Sequence, residues 1–190
     1  VPGDAPLIRP ETLRAALDMF SHQNYGAVVI TAHADDPTGY GRVVRDRKGH
    51  VERIVEQKDA TDEEKKIREI NSSIYCYRTS LLLSALGRID AKNAQKEYYL
   101  TDTIEILIRD GHRVGAYVAS FDETRGVNDR IELERVGKLL NRRVCEKLML
   151  DGVQIIDTDT TWIEPTVQIA RDTLIRPGCV LKGNTSIGED

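Results

Sequence analysis

The sequence predicts an α/β fold that runs into a repeating β tail, and three observations carry that prediction. Amphipathic stretches at helical spacing alternate with short apolar runs over residues 1–128. One long helical pattern then fills residues 129–151. Residues 161–190 of the tail place an aliphatic side chain at every sixth position: Ile163, Ile169, Ile175, Leu181 and Ile187. At typical aliphatic usage, five in five has a chance of roughly one in a few hundred. An interval of six is the signature of a β-helix, whose rungs each form one face of a triangular coil.

The elements follow in order. Pro10 suits a first helical turn, and Leu13, Ala16, Leu17 and Phe20 recur on one face, which predicts a helix over 10–20. Residues 26–31 (GAVVIT) form a continuous apolar run, expected of a strand buried on both faces. Residues 36–41 are a loop by their Pro and Gly content. Two short strands, 41–45 and 51–56, flank a turn at Gly49 and predict a hairpin. Thr61 and Glu64 read as a capping box opening a charged helix that ends near Ile67. Further on, a strand is expected over 70–77, helices over 80–86 and 102–109, and a strand over 114–119. The long helix carries Ile131, Leu133, Val136, Leu139, Leu140, Val144 and Leu148. In the tail, the first slots (Thr161, Val167, Thr173, Cys179, Thr185) are small enough to share a narrow interior. Gly178, Gly183 and Gly188 suit corners that need positive φ.

Composition removes several function classes. Lys plus Arg is 27 against 31 Asp plus Glu, a net charge of −4, so there is no basic footprint for nucleic acid or an anionic membrane. No apolar run approaches the ~20 residues of a membrane helix. Three scattered cysteines, Cys76, Cys145 and Cys179, form neither a disulfide framework nor a metal-site spacing, and fit free thiols in a reducing cytoplasm. Val1 is not a Met and the sequence stops in the middle of the repeating pattern, so both ends read as cut and the chain as a fragment.

A few polar positions can carry chemistry, each with a plainer alternative. Asp4, in Gly3-Asp4-Ala5-Pro6, stands where an α/β sheet would present a ligand or metal carboxylate, or simply forms a turn. Asn128 precedes the long helix and is either functional or a cap, or the neighbour of a cap at Asp129. Glu56 at a strand end can accept hydrogen bonds from a sugar, or is a solvated surface charge. Asn71-Ser72-Ser73 interrupts an apolar strand, which implies contact with something other than core, or a β-bulge.

Together these stretches resemble one family, the bacterial bifunctional N-acetylglucosamine-1-phosphate uridylyltransferase and glucosamine-1-phosphate acetyltransferase. The matching segments, in order, begin with residues 3–8 (GDAPLI), 36–42 (DPTGYGR) and 54–61 (IVEQKDAT). They continue with residues 69–71 (EIN), 93–102 (NAQKEYYLTD) and 126–130 (GVNDR), and the hexapeptide tail comes last. Three positions depart from the family's usual residues: Ser73 and Lys96 stand where Gly is common, and Pro2 where an aromatic residue is usual.

The resemblance implies the C-terminal portion of a Rossmann-like sugar-nucleotidyltransferase domain over 1–128 and a linker helix over 129–151. It implies the first rungs of a left-handed parallel β-helix over 152–190. It implies uridylyl transfer from UTP to N-acetylglucosamine 1-phosphate, with Asp4 and Asn128 holding Mg²⁺. Gly3, Asp4, Gly41, Glu56, Asn71 and Asn128 would contact UDP-N-acetylglucosamine. A homotrimer, a cytoplasmic location and acetyl-CoA chemistry beyond residue 190 are expected with it, and neither a nucleic acid nor a membrane is expected as a partner. A Gly-rich phosphate loop would precede residue 1, so the 190-residue chain alone is expected not to turn over. Two other readings stay open: a hexapeptide-tailed nucleotidyltransferase for another sugar 1-phosphate, and a non-catalytic assembly module of the same fold.

Overall fold

The structure is a computed structural model and describes residues 1–188. It divides into two compact units, Val1–Gly126 and a second beginning at Val127.

In the first unit, helix α1 (Pro10–His22) precedes strand β1 (Ala27–His33), and the hairpin forms from β2 (Arg42–Arg45) and β3 (Val51–Val55). Strand β4 (Glu69–Tyr77), helices α2 (Thr79–Leu86) and α3 (Asp102–Arg109) and strand β5 (Val114–Ala119) complete it. The sheet order is β3-β2-β4-β1-β5. β1 runs parallel to β5 and antiparallel to β4, and β2 is antiparallel to both β3 and β4.

The apolar run 27–32 is buried on both faces because helices cover both. Val28 and Ile30 pack with Ala16 of α1, while Ala27 and Val29 pack with Ile104 and Leu107 of α3. Period-two alternation thus sends neighbouring residues of β1 into two separate cores.

β4 carries an irregularity that shapes the site. Ile30 faces Ile74, yet the next residue, Thr31, faces Asn71, so Ser72 and Ser73 have no partners on β1. This is the β-bulge that the polar triplet signals. Ser72 Oγ donates to the Ile30 carbonyl at 2.6 Å, and Ser73 adopts φ +62°. Lys96, the other residue standing where the resemblance has Gly, also has positive φ, +56°. Both lie in the left-handed region where a missing Cβ removes strain.

Two local expectations are corrected. The capping box forms, with Thr61 N donating to Glu64 Oε2 at 2.8 Å and Glu64 N donating to Thr61 Oγ1 at 3.3 Å, but only one 3₁₀ turn follows, Glu64–Lys66. A stretch this short and charged has no apolar face to bury, and Arg68 is already in place to pair its carbonyl with Ala34 N. In the tail, Gly178 and Gly183 have positive φ but Gly188 does not. Gly188 occupies the fourth slot of its rung, whereas Asp172 (φ +65°) and Gly178 occupy the sixth.

The second unit opens with α4 (Arg130–Leu150), capped by Asp129 Oδ1, which accepts from Ile131 N and Glu132 N at 2.8 Å each. Six two-residue strands follow: β6 (Gln154–Ile155), β7 (Trp162–Ile163), β8 (Gln168–Ile169), β9 (Leu174–Ile175), β10 (Val180–Leu181) and β11 (Ser186–Ile187). Each of the first three pairs in parallel with the strand three further on, so Trp162 lies beside Val180 and Gln168 beside Ser186. Ile155, Ile163, Val167 and Ile175 gather with Cys145 of α4 in one core. Gly137 leaves room for the Trp162 ring, which would lie 3.3 Å from an added Cβ.

Candidate functional site

Three of the residues singled out from the sequence meet on the first unit. Gly41 immediately precedes β2, Glu56 immediately follows β3, and Asn71 lies on β4 just before the bulge. Antiparallel pairing makes them neighbours, because Arg42 sits opposite Val55 on one side and Ile70 on the other. Asn71 N donates to the Gly41 carbonyl at 2.9 Å. A Cβ on Gly41 would lie 3.3 Å from both carboxylate oxygens of Glu56. The glycine is therefore what lets the carboxylate lie against the backbone.

Glu56 accepts a hydrogen bond from Thr101 Oγ1 at 3.1 Å. Burial pushes its carboxyl above the ordinary range; Thr101 opposes that shift, and the charges of Asp102 and Asp59 add to it. Asn71 is buried, and its Oδ1 accepts from Ser73 N at 3.1 Å. Its side chain also hydrogen-bonds the Tyr75 hydroxyl, whose ionisation burial pushes well above the usual range. Of this group Glu56 alone lines a pocket of about 230 Å³, together with Asp59, Asn93, Tyr99 and Asp102 among others. Its far wall is tied down by Asp59 Oδ1, which accepts from Ala94 N at 2.8 Å, and by Gln95 Nε2, which donates to Tyr99 Oη at 2.7 Å. Such a pocket offers acceptors and amide donors with little apolar surface, which suits a polyhydroxylated ligand.

Asn128 lies outside the unit that holds this trio, and Gly3 and Asp4, which lie inside it, make no hydrogen bond to the trio. Gly3 and Asp4 lie in an exposed turn of the same unit, and a Cβ on Gly3 would meet nothing within 4 Å. The buried Ala5 and Leu7 anchor that turn. Asn128 belongs to the second unit, is exposed, and is the neighbour of the Asp129 cap rather than the cap itself. Among the described residues no group of three or more His, Cys, Asp or Glu is placed to hold a metal ion. Thr101, Tyr75 and Tyr99 complete the site without having been singled out as site residues. The signal for Thr101 was its place in the stretch 97–102 (EYYLTD), but Glu56, the carboxylate it serves, lies 45 positions earlier and is reached only in the fold.

Residues 1–124 match the family model described as nucleotidyl transferase. The chain belongs to the nucleotidyl transferase family. It is 50% identical over 191 residues to the Bifunctional protein GlmU of Enterococcus faecalis, covering 100% of this chain and 42% of that protein. It is 52% identical over 189 residues to the Bifunctional protein GlmU of Geobacillus thermodenitrificans, covering 99% of this chain and 41% of that protein. The chain thus spans about two fifths of the length of these curated relatives. Its fold is shared with a CMP:2-keto-3-deoxy-manno-octonic acid synthetase solved with CTP, at 17% identity and a TM-score of 0.51, over 75% of this chain and 61% of that one. As a nucleotidyl transferase, the chain sets its Gly41–Glu56–Asn71 group within the matched region. No helix among its described residues is long and apolar enough to cross a membrane.

Proposed function

We propose that this nucleotidyl transferase holds the sugar of N-acetylglucosamine 1-phosphate as uridylyl is transferred to it from UTP, giving UDP-N-acetylglucosamine and pyrophosphate. The observation that carries the reading is the meeting of Gly41, Glu56 and Asn71, with Glu56 also lining a polar pocket. Glu56 Oε1 is engaged by Thr101, which leaves Oε2 to accept from a sugar hydroxyl or the acetamido N–H. Asn71 turns its Oδ1 to Ser73 N and its side chain also meets the Tyr75 hydroxyl, and in this reading its remaining amide hydrogen goes to the sugar. Gly41 lets the ligand come close to the backbone. In the transfer itself a sugar-phosphate oxygen bonds to the α-phosphorus of UTP as the bond to the pyrophosphate oxygen breaks, so positioning is the main demand on the protein.

The reading includes Mg²⁺ held by Asp4 and Asn128. Both present hard oxygen donors, and neither side chain has a hydrogen bond or ion pair to the described residues of its own unit. An ion that takes one or two protein oxygens, with phosphates and water for the rest, fits such donors. When bound, it supplies charge neutralisation on the phosphate oxygens. The reading further takes α4 as a linker helix and the paired short strands as the first coils of a left-handed parallel β-helix. The parent protein would be a cytoplasmic homotrimer that also acetylates glucosamine 1-phosphate from acetyl-CoA.

Pyrophosphate release by the full-length protein tests this. N-acetylglucosamine 1-phosphate is expected to support turnover far better than glucose 1-phosphate. Glu56→Ala is expected to lower kcat/KM on the order of a hundredfold, since a buried acceptor to the sugar is lost. Equal use of the two sugar phosphates, or an unaffected Glu56→Ala, overturns the reading.

A further inference from the structure

Arg42, the first residue of β2, is almost wholly buried, at 1% exposure. None of the described carboxylates lies within ion-pair distance of it; Asp36 acts on it only from farther away. Its Nη2 donates to Gln57 Oε1 at 2.6 Å, its Nη1 donates to the Tyr40 carbonyl, and its Nε has no partner among the described residues. An unpaired buried cation is costly, and an apolar side chain of similar length would fill the volume without that cost. What a methionine could not do is bond two separate segments at once. The Tyr40 carbonyl belongs to the loop that delivers Gly41, and Gln57 is the residue after Glu56. Gln57 Oε1 also accepts from Gly39 N at 3.3 Å, so the guanidinium, the loop and the turn after β3 meet at one oxygen.

We infer that Arg42 is a positioning residue of the site: its guanidinium clamps the 36–40 loop to the segment at Gln57 and thereby sets the approach of Gly41 to Glu56. It touches no ligand. It acts through the two residues that flank it in the ladder, since the same cross-strand pairs, Arg42–Val55 and Arg42–Ile70, place Glu56 and Asn71 one residue further along. Charge-assisted bonds from one planar, rigid group explain why the position takes a guanidinium despite its burial. A lysine ammonium offers a single compact centre in place of that planar fork, so it would hold the two acceptors less well.

The inference rests on the proposal that Glu56 and Asn71 bind a sugar, and its test separates the two. Arg42→Met and Arg42→Lys are compared with the unaltered chain by amide hydrogen exchange and by calorimetric titration with UDP-N-acetylglucosamine. Local exchange at Tyr40, Asp59 and Ala60, whose amides close the two clamped turns, is expected to quicken at least tenfold in Arg42→Met. The β1 amides of Val28 to Ile30 should keep their protection. Affinity should fall at least tenfold in Arg42→Met, with Arg42→Lys between the two. Loss of protection spread evenly into β1, unchanged exchange at the two turns, or unchanged affinity in Arg42→Met overturns the clamp. If the unaltered chain binds no sugar nucleotide while the local exchange pattern appears, the sugar-binding proposal falls and the clamp remains as a device that orders the loop.

Discussion

The Thr101 hydroxyl donates to Glu56 Oε1 across 45 positions of sequence, tying the approach to α3 to the end of β3. That bond works against the burial that raises the Glu56 carboxyl, so its removal should raise it further. Thr101→Val is expected to move the acid limb of sugar-nucleotide binding to higher pH and to cost about 1 kcal/mol of stability. Titration calorimetry across pH, with urea unfolding, reads both effects. A pH profile identical to that of the unaltered chain would show that Glu56 does not bind as a carboxylate.

Glu56 also makes a stability prediction of definite sign. Its folded-state carboxyl is raised, so the protonated form is favoured by folding. The associated stability is fully present below the ordinary carboxylate range and is lost as pH rises through the raised value. Glu56→Gln removes the charge without changing the shape. It should therefore stabilise the chain above that window, leave it unchanged below, and abolish much of the binding. Urea midpoints at acidic and neutral pH check the sign; a variant destabilised at neutral pH contradicts it.

Gly41→Ala would place a methyl 3.3 Å from both Glu56 oxygens and from Ile54 Cγ2. All three neighbours are held by the sheet or by Thr101, so the carboxylate must swing out. A cost of about 1–2 kcal/mol in stability is expected, with at least a tenfold loss of sugar-nucleotide affinity. Normal affinity would mean that the close approach of Gly41 to Glu56 is incidental to binding.

Much of this architecture was legible because period and punctuation agree. Both hairpin strands, the turn at Gly49 (φ +83°) and the helix Asp102–Arg109 are written in local residues. Glu56 was legible as a carboxylate at a strand end, and Asn71 as the first of three polar residues interrupting an apolar strand. Their closeness was not, since it depends on β2 lying between β3 and β4, a pairing that no local pattern encodes. Arg42 was harder still, because a charge inside a strand reads as solvent-facing until the layers on both sides are known. Residues 61–67 misled for a related reason: a capping box fixes a start, but only burial sustains a helix.

Ser73 holds φ +62° at the bulge beside Asn71. A side chain in the left-handed region costs roughly 1–2 kcal/mol, and glycine removes that cost while losing some on unfolded-state entropy. Ser73→Gly is expected to stabilise the chain by about 0.5–1 kcal/mol. The Ser73 N–H that orients Asn71 is a backbone group and survives the change, so sugar-nucleotide affinity should hold within a few-fold. Ser73→Val, with a β-branched side chain at the same φ, should destabilise and weaken binding together. Urea unfolding and titration calorimetry on the pair decide it, and a Ser73→Gly variant less stable than the unaltered chain would place the strain elsewhere.

In the second unit, Asn141 on α4 behaves like a segment of strand. Its Oδ1 accepts from Ile163 N at 2.9 Å and its Nδ2 donates to the Thr161 carbonyl at 2.8 Å, so one buried carboxamide satisfies both backbone groups beside β7. Asn141→Leu keeps most of the volume and orphans both groups, each at about 1–3 kcal/mol. A total loss of about 2–4 kcal/mol is expected, confined to the unit that begins at Val127. Hydrogen exchange should show the amide of Ile163 and the strands around it opening early while β1 stays protected. Asn141→Asp retains the acceptor for Ile163 N but offers Thr161 no donor, and should lie between the two. An Asn141→Leu variant as stable as the unaltered chain would mean that the helix is held against the short strands by apolar packing around Ile163 and Cys145 alone.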